Sequence, residues 1–153
     1  MKIDIDTFGH REAMRRVRSL GDHAGDMSPV YMWISRDFER IENQQFDSQG
    51  TYGGHTWEPI SRSWARHKAK VGGDPRVLHF RLALRESLTR RNALGAVRTV
   101  RPHEVLMGTR IPYAKFHVTG TGRMPPRQPI VIPGHDRLRW TKAMVHFVKY
   151  GTI

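Results

Sequence analysis

The chain reads as an α+β domain: N-terminal helices, one of them long, packed on a small antiparallel sheet, with extended loops and a C-terminal helix. Three observations predict this. Apolar residues recur at helical spacing through the first third of the chain. Runs rich in Val, Thr and aromatic residues, split by turn residues, follow from residue 96. No internal repeat or low-complexity tract interrupts the order helix, helix, loop, helix, strands, helix. At 153 residues the whole chain, 1–153, fits one domain. A domain of that size buries roughly 68–70% of its unfolded surface, enough for a core without covalent staples.

Thr7 can cap a first helix that carries Ala13, Met14, Val17 and Leu20 on one stripe and stops at Gly21. Ser28 as N-cap and Pro29 at the first helical position start the main helix. There Val30, Ile34, Phe38 and Ile41 share a face, and the helix runs to about Phe46. Gly50, Gly53 and Gly54 make residues 47–60 a loop. The basic stretch Arg62 to Lys70 reads as helical, with Ile60 and Trp64 on one face, closed by Gly72-Gly73-Asp74-Pro75. Val77 to Thr89, apolar at 78, 82, 84 and 88, predicts a short helix. Ala96 to Arg101, Glu104 to Thr109 and Tyr113 to Val118 read as strands, and Pro129 to Pro133 as an edge strand or extended segment. Asp136 is placed to cap a last helix with Leu138, Thr141, Val145 and Val148 along its face.

Charge is the strongest compositional signal, at +12 with 26 Lys and Arg against 14 Asp and Glu. The excess is uneven. Residues 1–60 carry seven basic and ten acidic side chains, residues 61–101 eleven and two, and residues 102–153 eight and two. An acidic first part and a basic remainder can attract each other between neighbouring copies, or the basic part can face nucleic acid. The chain has no cysteine, which excludes disulfides and thiolate metal sites. Its longest apolar run, Val30 to Ile34, is far too short to cross a bilayer. The start MKIDIDTF lacks the apolar core of a signal peptide, so the protein is expected to act where it is made, without a membrane partner.

An enzymatic inventory comes up empty. There is no HExxH, Walker-type loop, carboxylate pair or nucleophile elbow. Thr119-Gly120-Thr121-Gly122 is a glycine-containing turn, but prolines rather than a helix follow it, so no helix N-terminus awaits a phosphate. Asp4 and Asp6 alternate like one face of a strand, and the nine histidines show no ligand spacing with a third partner. A small basic ribonuclease would rest only on scattered Arg, Lys and His. No catalytic, cofactor-binding or metal residue is therefore expected.

Phe46, Ser48, Gly50, Trp57, Pro59, Ile60 and Ser61 are followed in order by Val77, Leu78, Leu84, Ser87 and Leu88, then by Val105 to Thr109. Tyr113, Ala114, His117 and Gly120 come next, and Met124, Pro125, Arg127 and Pro129 close the series. This order, over some ninety residues, resembles the phage virion-morphogenesis (tail-completion) family of head–tail junction proteins. One departure is plain: Phe80-Arg81-Leu82 stand where the family has Asp-Thr-Gly, and Arg-Leu favours continuing a helix.

The resemblance implies a structural virion protein of the head–tail junction, assembled in the host cytoplasm. It would form a ring, hexamer or dodecamer, that joins the tail to the connector and surrounds the DNA channel. Its partners would be identical subunits, connector or stopper proteins, and tail terminator or tail-tube proteins. Loops 47–60 and 119–135 would reach neighbours, with Trp57, Pro59, His117, Met124, Pro125, Arg127 and Pro129 at those contacts. Arg127 between prolines suits a stiff arm with a multidentate anchor. His117 lacks a nearby carboxylate and reads as a hydrogen-bonded structural residue. Tyr113 and Phe116 read as core, and Trp57 and Trp64 as packing. Arg62, Arg66, Lys68 and Lys70 are the expected channel-facing cations, making sequence-independent phosphate contacts with genomic DNA. The alternative is a stand-alone basic nucleic-acid-binding module using the same segment.

Overall fold

Helices α1 (His10–Gly25) and α2 (Ser28–Asp47) lead the computed structural model, which describes residues 10–153. The Thr7 cap lies outside the described residues. α1 runs through Gly21 instead of stopping there, because a glycine costs a helix interior only about 1 kcal/mol and tertiary contacts hold the last turn. His23 Nδ1 donates to the Val148 carbonyl at 3.0 Å, and its ring lies 5.8 Å from Phe147. Met14, Val17 and Leu20 are on the exposed side of α1.

α2 is the central beam. Val30, Ile34, Phe38 and Ile41 are at most 2% exposed, and each such side chain contributes about 1.5–3 kcal/mol. Pro29 occupies the first turn as expected, but Ser28 is the first helical residue and not the cap: Met27 holds the cap position without a side-chain bond, and Asp26 Oδ1 accepts from the Ser28 amide at 2.9 Å. Two clusters meet on this helix. Phe38 and Phe46 pack with Trp57, Val77, Leu84 and Leu88; Val30 and Ile34 pack with Met27 and Phe147. Glu42 is fully buried on the same helix, and neither carboxylate oxygen has a hydrogen-bond partner among the described residues. Burial pushes its pKa well above the usual carboxylate range, against the pull of the Arg98 charge.

α3 (Arg62–Lys70) and α4 (Ala83–Thr89) precede the hairpin of β1 (Ala96–Arg101) and β2 (Glu104–Thr109). The strands pair antiparallel from Ala96 with Thr109 to Arg101 with Glu104. Met107 packs against both clusters. Arg98 lies over the Phe38 ring at 4.6 Å and donates to the Gly108 carbonyl at 3.1 Å and to that of Leu88. Buried guanidinium and aromatic face thus tie the sheet to α2.

Two strands form where three or four were expected. Tyr113–Val118 is not a strand: Ala114–Thr119 folds as α5. The Ala114 amide donates to the Ile111 carbonyl and that of Phe116 to Tyr113, so the chain coils directly after Pro112. Local hydrogen bonds here outweigh an aromatic and β-branched composition, whose strand preference depends on context. Pro129 to Pro133 forms no strand among the described residues.

Only Ala83–Thr89 of the predicted 77–89 helix is helical. Leu78 and Leu82 adopt φ of 61° and 59°, left-handed values that cost a non-glycine residue roughly 1–2 kcal/mol. Leu82 stands at the glycine of the family's Asp-Thr-Gly, so the backbone turn survives the loss of the residue that suits it. Replacing Leu82 by glycine is accordingly expected to give a chain about 1 kcal/mol more stable than Leu82→Ala in urea unfolding. A helix interior would give the opposite order.

The last helix, α6, is Gly134–Tyr150. Asp136 does not cap it. Its buried carboxylate sits in the first turn, accepting from Arg40 Nη2 at 2.8 Å and Tyr52 Oη at 2.7 Å, with Arg139 Nη2 at 2.9 Å. The predicted stripe is also rotated. Leu138 and Val145 are more than half exposed, whereas Trp140, Met144 and Phe147 face the core.

Candidate functional site

A groove of about 710 Å³ opens between α3, the 77–82 turn, α5 and the Met124–Arg127 segment. Its first wall begins at Ser61, whose hydroxyl accepts from the Trp64 amide at 3.2 Å and caps α3. That cap aims Trp64 outward, where its ring stacks on His67 at 4.8 Å and meets Phe80 at 5.4 Å. Phe80 reaches this place because the chain turns sharply at Leu78 and Leu82. Gly73 makes room for it: a Cβ there would fall 2.7 Å from the Phe80 ring.

The opposite wall is α5 and the chain beyond it. Tyr113 packs edge-on against His117 at 5.9 Å. The Arg127 amide donates to the His117 carbonyl at 2.6 Å, which folds the proline-rich segment back along α5. Gly120, at φ 71°, allows that reversal, since a Cβ would lie 3.0 Å from both the Met124 oxygen and the Pro126 nitrogen.

Arg127 closes the floor. Its Nε donates to the Glu58 carbonyl at 2.7 Å and its Nη2 to the Pro59 carbonyl at 3.0 Å. Beside it, Lys68 donates to the carbonyls of Asp74 at 2.9 Å and Arg76 at 2.7 Å. Both cations are therefore held by neutral oxygens. Burial lowers the pKa of each; Asp74 opposes the shift at Lys68, and Glu58 opposes it at Arg127. His117 is likewise held toward its neutral form, by burial first and by the Arg127 charge second. Its Nδ1 is buried with no hydrogen-bond partner among the described residues.

The electrostatic character follows. Lys68, Arg81, Arg123 and Arg127 line the groove against one carboxylate, Glu58. No ion pair within 4.0 Å engages any of these four cations among the described residues. The result is an aromatic and aliphatic trough with a positive lining. It suits a chain segment carrying both apolar side chains and negative charge.

The expected site residues divide sharply. Pro59, His117, Met124, Pro125 and Arg127 converge on this groove. Trp57 and Pro129 lie beneath it in the subunit interior. Arg127 is no free arm: it is 6% exposed and its guanidinium is spent within its own chain. Arg62, Arg66 and Lys70 are exposed on α3, but Lys68 is buried, because the carbonyls of 74 and 76 claim its ammonium. Tyr113 and Phe116 are exposed, not core. Phe80, Arg81 and Arg123 line the groove without any motif to announce them; the departure at 80–82 is the one sign of it in the sequence. Among the described residues no group of three His, Asp or Glu side chains could hold a metal ion, and no helix is long and apolar enough to cross a membrane.

The phage virion morphogenesis family matches the chain over residues 10–144. No curated protein and no solved structure gives a match.

Proposed function

The chain belongs to the phage virion morphogenesis family, and on that premise we propose that it is a ring-forming subunit of the head–tail junction. Membership makes it a structural or assembly protein of the phage virion. In the finer reading it completes the tail or neck, bridges tail and connector, and surrounds the channel through which DNA passes. The observation that carries this reading is the convergence of Pro59, His117, Met124, Pro125 and Arg127, from two distant stretches of sequence, on one positively lined groove. A ring subunit joins two different surfaces to its neighbours, and this groove offers one of them. The exposed cations Arg62, Arg66 and Lys70 on α3 fit non-specific attraction to phosphate.

Native mass of the purified full chain, with and without short duplex DNA at moderate salt, tests the reading. A closed hexamer or dodecamer is expected, or a monomer indifferent to DNA that closes only with adjoining neck proteins. A salt-sensitive stoichiometric complex of monomer or dimer with DNA overturns it and establishes the stand-alone binding module instead.

A further inference from the structure

We infer that the groove is a docking site for an extended acidic segment of a different protein, one that interleaves aliphatic side chains with carboxylates. The inference rests on the assembly reading above in taking a protein partner as given. Its first support is uncompensated charge. Lys68 and Arg127 are 1% and 6% exposed in the floor, and the bonds that hold them go to neutral carbonyl oxygens. Neither takes part in an ion pair among the described residues. The Arg127 charge is felt at Lys68, where it adds to the lowering of the pKa that burial begins. Two buried like charges under low-dielectric walls throw a positive field into the cleft above them. A negative group seated there gains from that field without touching either cation.

The second support is the exposed lining. Arg81 belongs to the 77–82 turn and Arg123 to the chain beyond α5, and both are exposed. Arg81 lies over the Phe80 ring at 5.7 Å. Arg123 sits in a turn closed by two bonds, from the Thr121 amide to the Met124 carbonyl at 2.8 Å and from the Met124 amide to the Thr121 carbonyl at 3.1 Å. Both cations are thus presented before anything binds, which lowers the cost of ordering them. The walls also expose Trp64 and Tyr113, at 41% and 42%. Trp, Tyr and Arg are the side chains that dominate the energetics of protein interfaces.

The third support selects the occupant. Ile60, Leu78, Leu82, Leu84 and Met124 give the trough an aliphatic bed. Single-stranded nucleic acid needs a run of free aromatic platforms and a track of cations, whereas here the Trp64 ring is already stacked on His67. A second copy has little acid to offer. Glu12, Asp37, Asp47, Asp74, Glu86, Glu104 and Asp136 sit in ion pairs at 3.2 Å or less with arginines of their own chain. Glu39 reaches Arg98 at 3.7 Å, Asp26 accepts from the Ser28 amide, Glu42 is buried and Glu58 lines the groove itself. Among the described residues that leaves Asp22, a single carboxylate.

Fluorescence anisotropy of the full chain with short fluorescein-labelled probes tests this. One peptide alternates leucine and aspartate, so that in an extended chain the leucines point to one side and the carboxylates to the other. A second peptide replaces aspartate with lysine, a third replaces leucine with serine, and a short oligo-dT is the nucleic-acid probe. The leucine–aspartate peptide is expected to bind roughly tenfold or more tighter than the other three, the scale of one charge-assisted hydrogen bond. Arg81→Glu combined with Arg123→Glu should weaken it by a similar factor and strengthen the lysine peptide. Trp64→Ala should weaken it as well. All three positions are exposed, and far-UV circular dichroism confirms that each variant is folded. No binding of the leucine–aspartate peptide, equal binding of the lysine peptide, or indifference to the charge reversal overturns the inference. Tighter binding of oligo-dT also overturns it and makes the groove a nucleic-acid site. A closed oligomer that the peptide splits into monomers overturns it too, and puts a second copy there. Native mass keeps the two ideas apart. A closed ring that binds no peptide sinks this site alone, and peptide binding by a chain that forms a stoichiometric complex with duplex DNA sinks the ring alone.

Discussion

Truncating Trp57 to alanine is expected to cost about 3–5 kcal/mol of unfolding free energy, the range for removing a large aromatic side chain from a packed core. Trp57 is 5% exposed, meets Phe46 edge-on at 5.3 Å and donates from Nε1 to the Gln128 carbonyl at 3.0 Å. Its loss opens a cavity and leaves that carbonyl with only the 3.4 Å bond from Gln45 Nε2. Trp64 is the internal control: at 41% exposure on the groove wall, its truncation should cost less than about 1 kcal/mol. Urea unfolding of the two variants, with unchanged denaturant slope, measures the contrast. Similar losses for both tryptophans would contradict the placement of Trp57 in the core.

Arg127→Ala carries the second large effect, expected at about 2–4 kcal/mol. Two charge-assisted hydrogen bonds to carbonyls disappear, each worth about 1.5–3 kcal/mol, while relief from burying the guanidinium returns part of that sum. Arg127→Lys should recover less than half, because one ammonium cannot span the Glu58 and Pro59 carbonyls as the planar fork does. Full recovery by lysine would mean that charge alone matters there and that the fork geometry does not.

What is legible in the sequence, and what is hidden, follows from the range of the forces involved. The hairpin is legible to the residue, since Ala96–Arg101 is rich in Val, Thr and Arg, Glu104–Thr109 carries Val, Leu, Met and Thr, and Pro102-His103 marks the turn between them. The long helix and its buried stripe are legible for the same reason: their periodicity is local. α5 is not, because six residues of aromatic and β-branched character fold as a helix only where Pro112 and the returning chain at Arg127 confine them. α6 offers two apolar stripes of equal spacing, one through Leu138 and Val145 and one through Trp140 and Phe147. Only packing against Ile34 and Met27 chooses between them. At the site, Pro59, His117, Met124, Pro125 and Arg127, named from the sequence as neighbour contacts, line one groove, whereas Trp57 and Pro129 fall in the interior below it. Lys68 misleads because its partners are backbone carbonyls, which leave no trace in side-chain spacing.

The ties between the two long loops have a further consequence. Gln128 accepts from Trp57 and from Gln45, and Arg127 grips the carbonyls of 58 and 59. Segments that read as two independent arms are therefore joined before any partner arrives. Ordering a mobile side chain at an interface costs about 0.5–1.5 kcal/mol each, and a loop adds backbone entropy to that. In the ring reading proposed above, a subunit whose binding edge is already set escapes most of this cost, so that a modest interface would suffice for assembly. Loosening the tie should then weaken association even where every residue that touches the neighbour is left in place, because the edge would have to be ordered anew at each encounter.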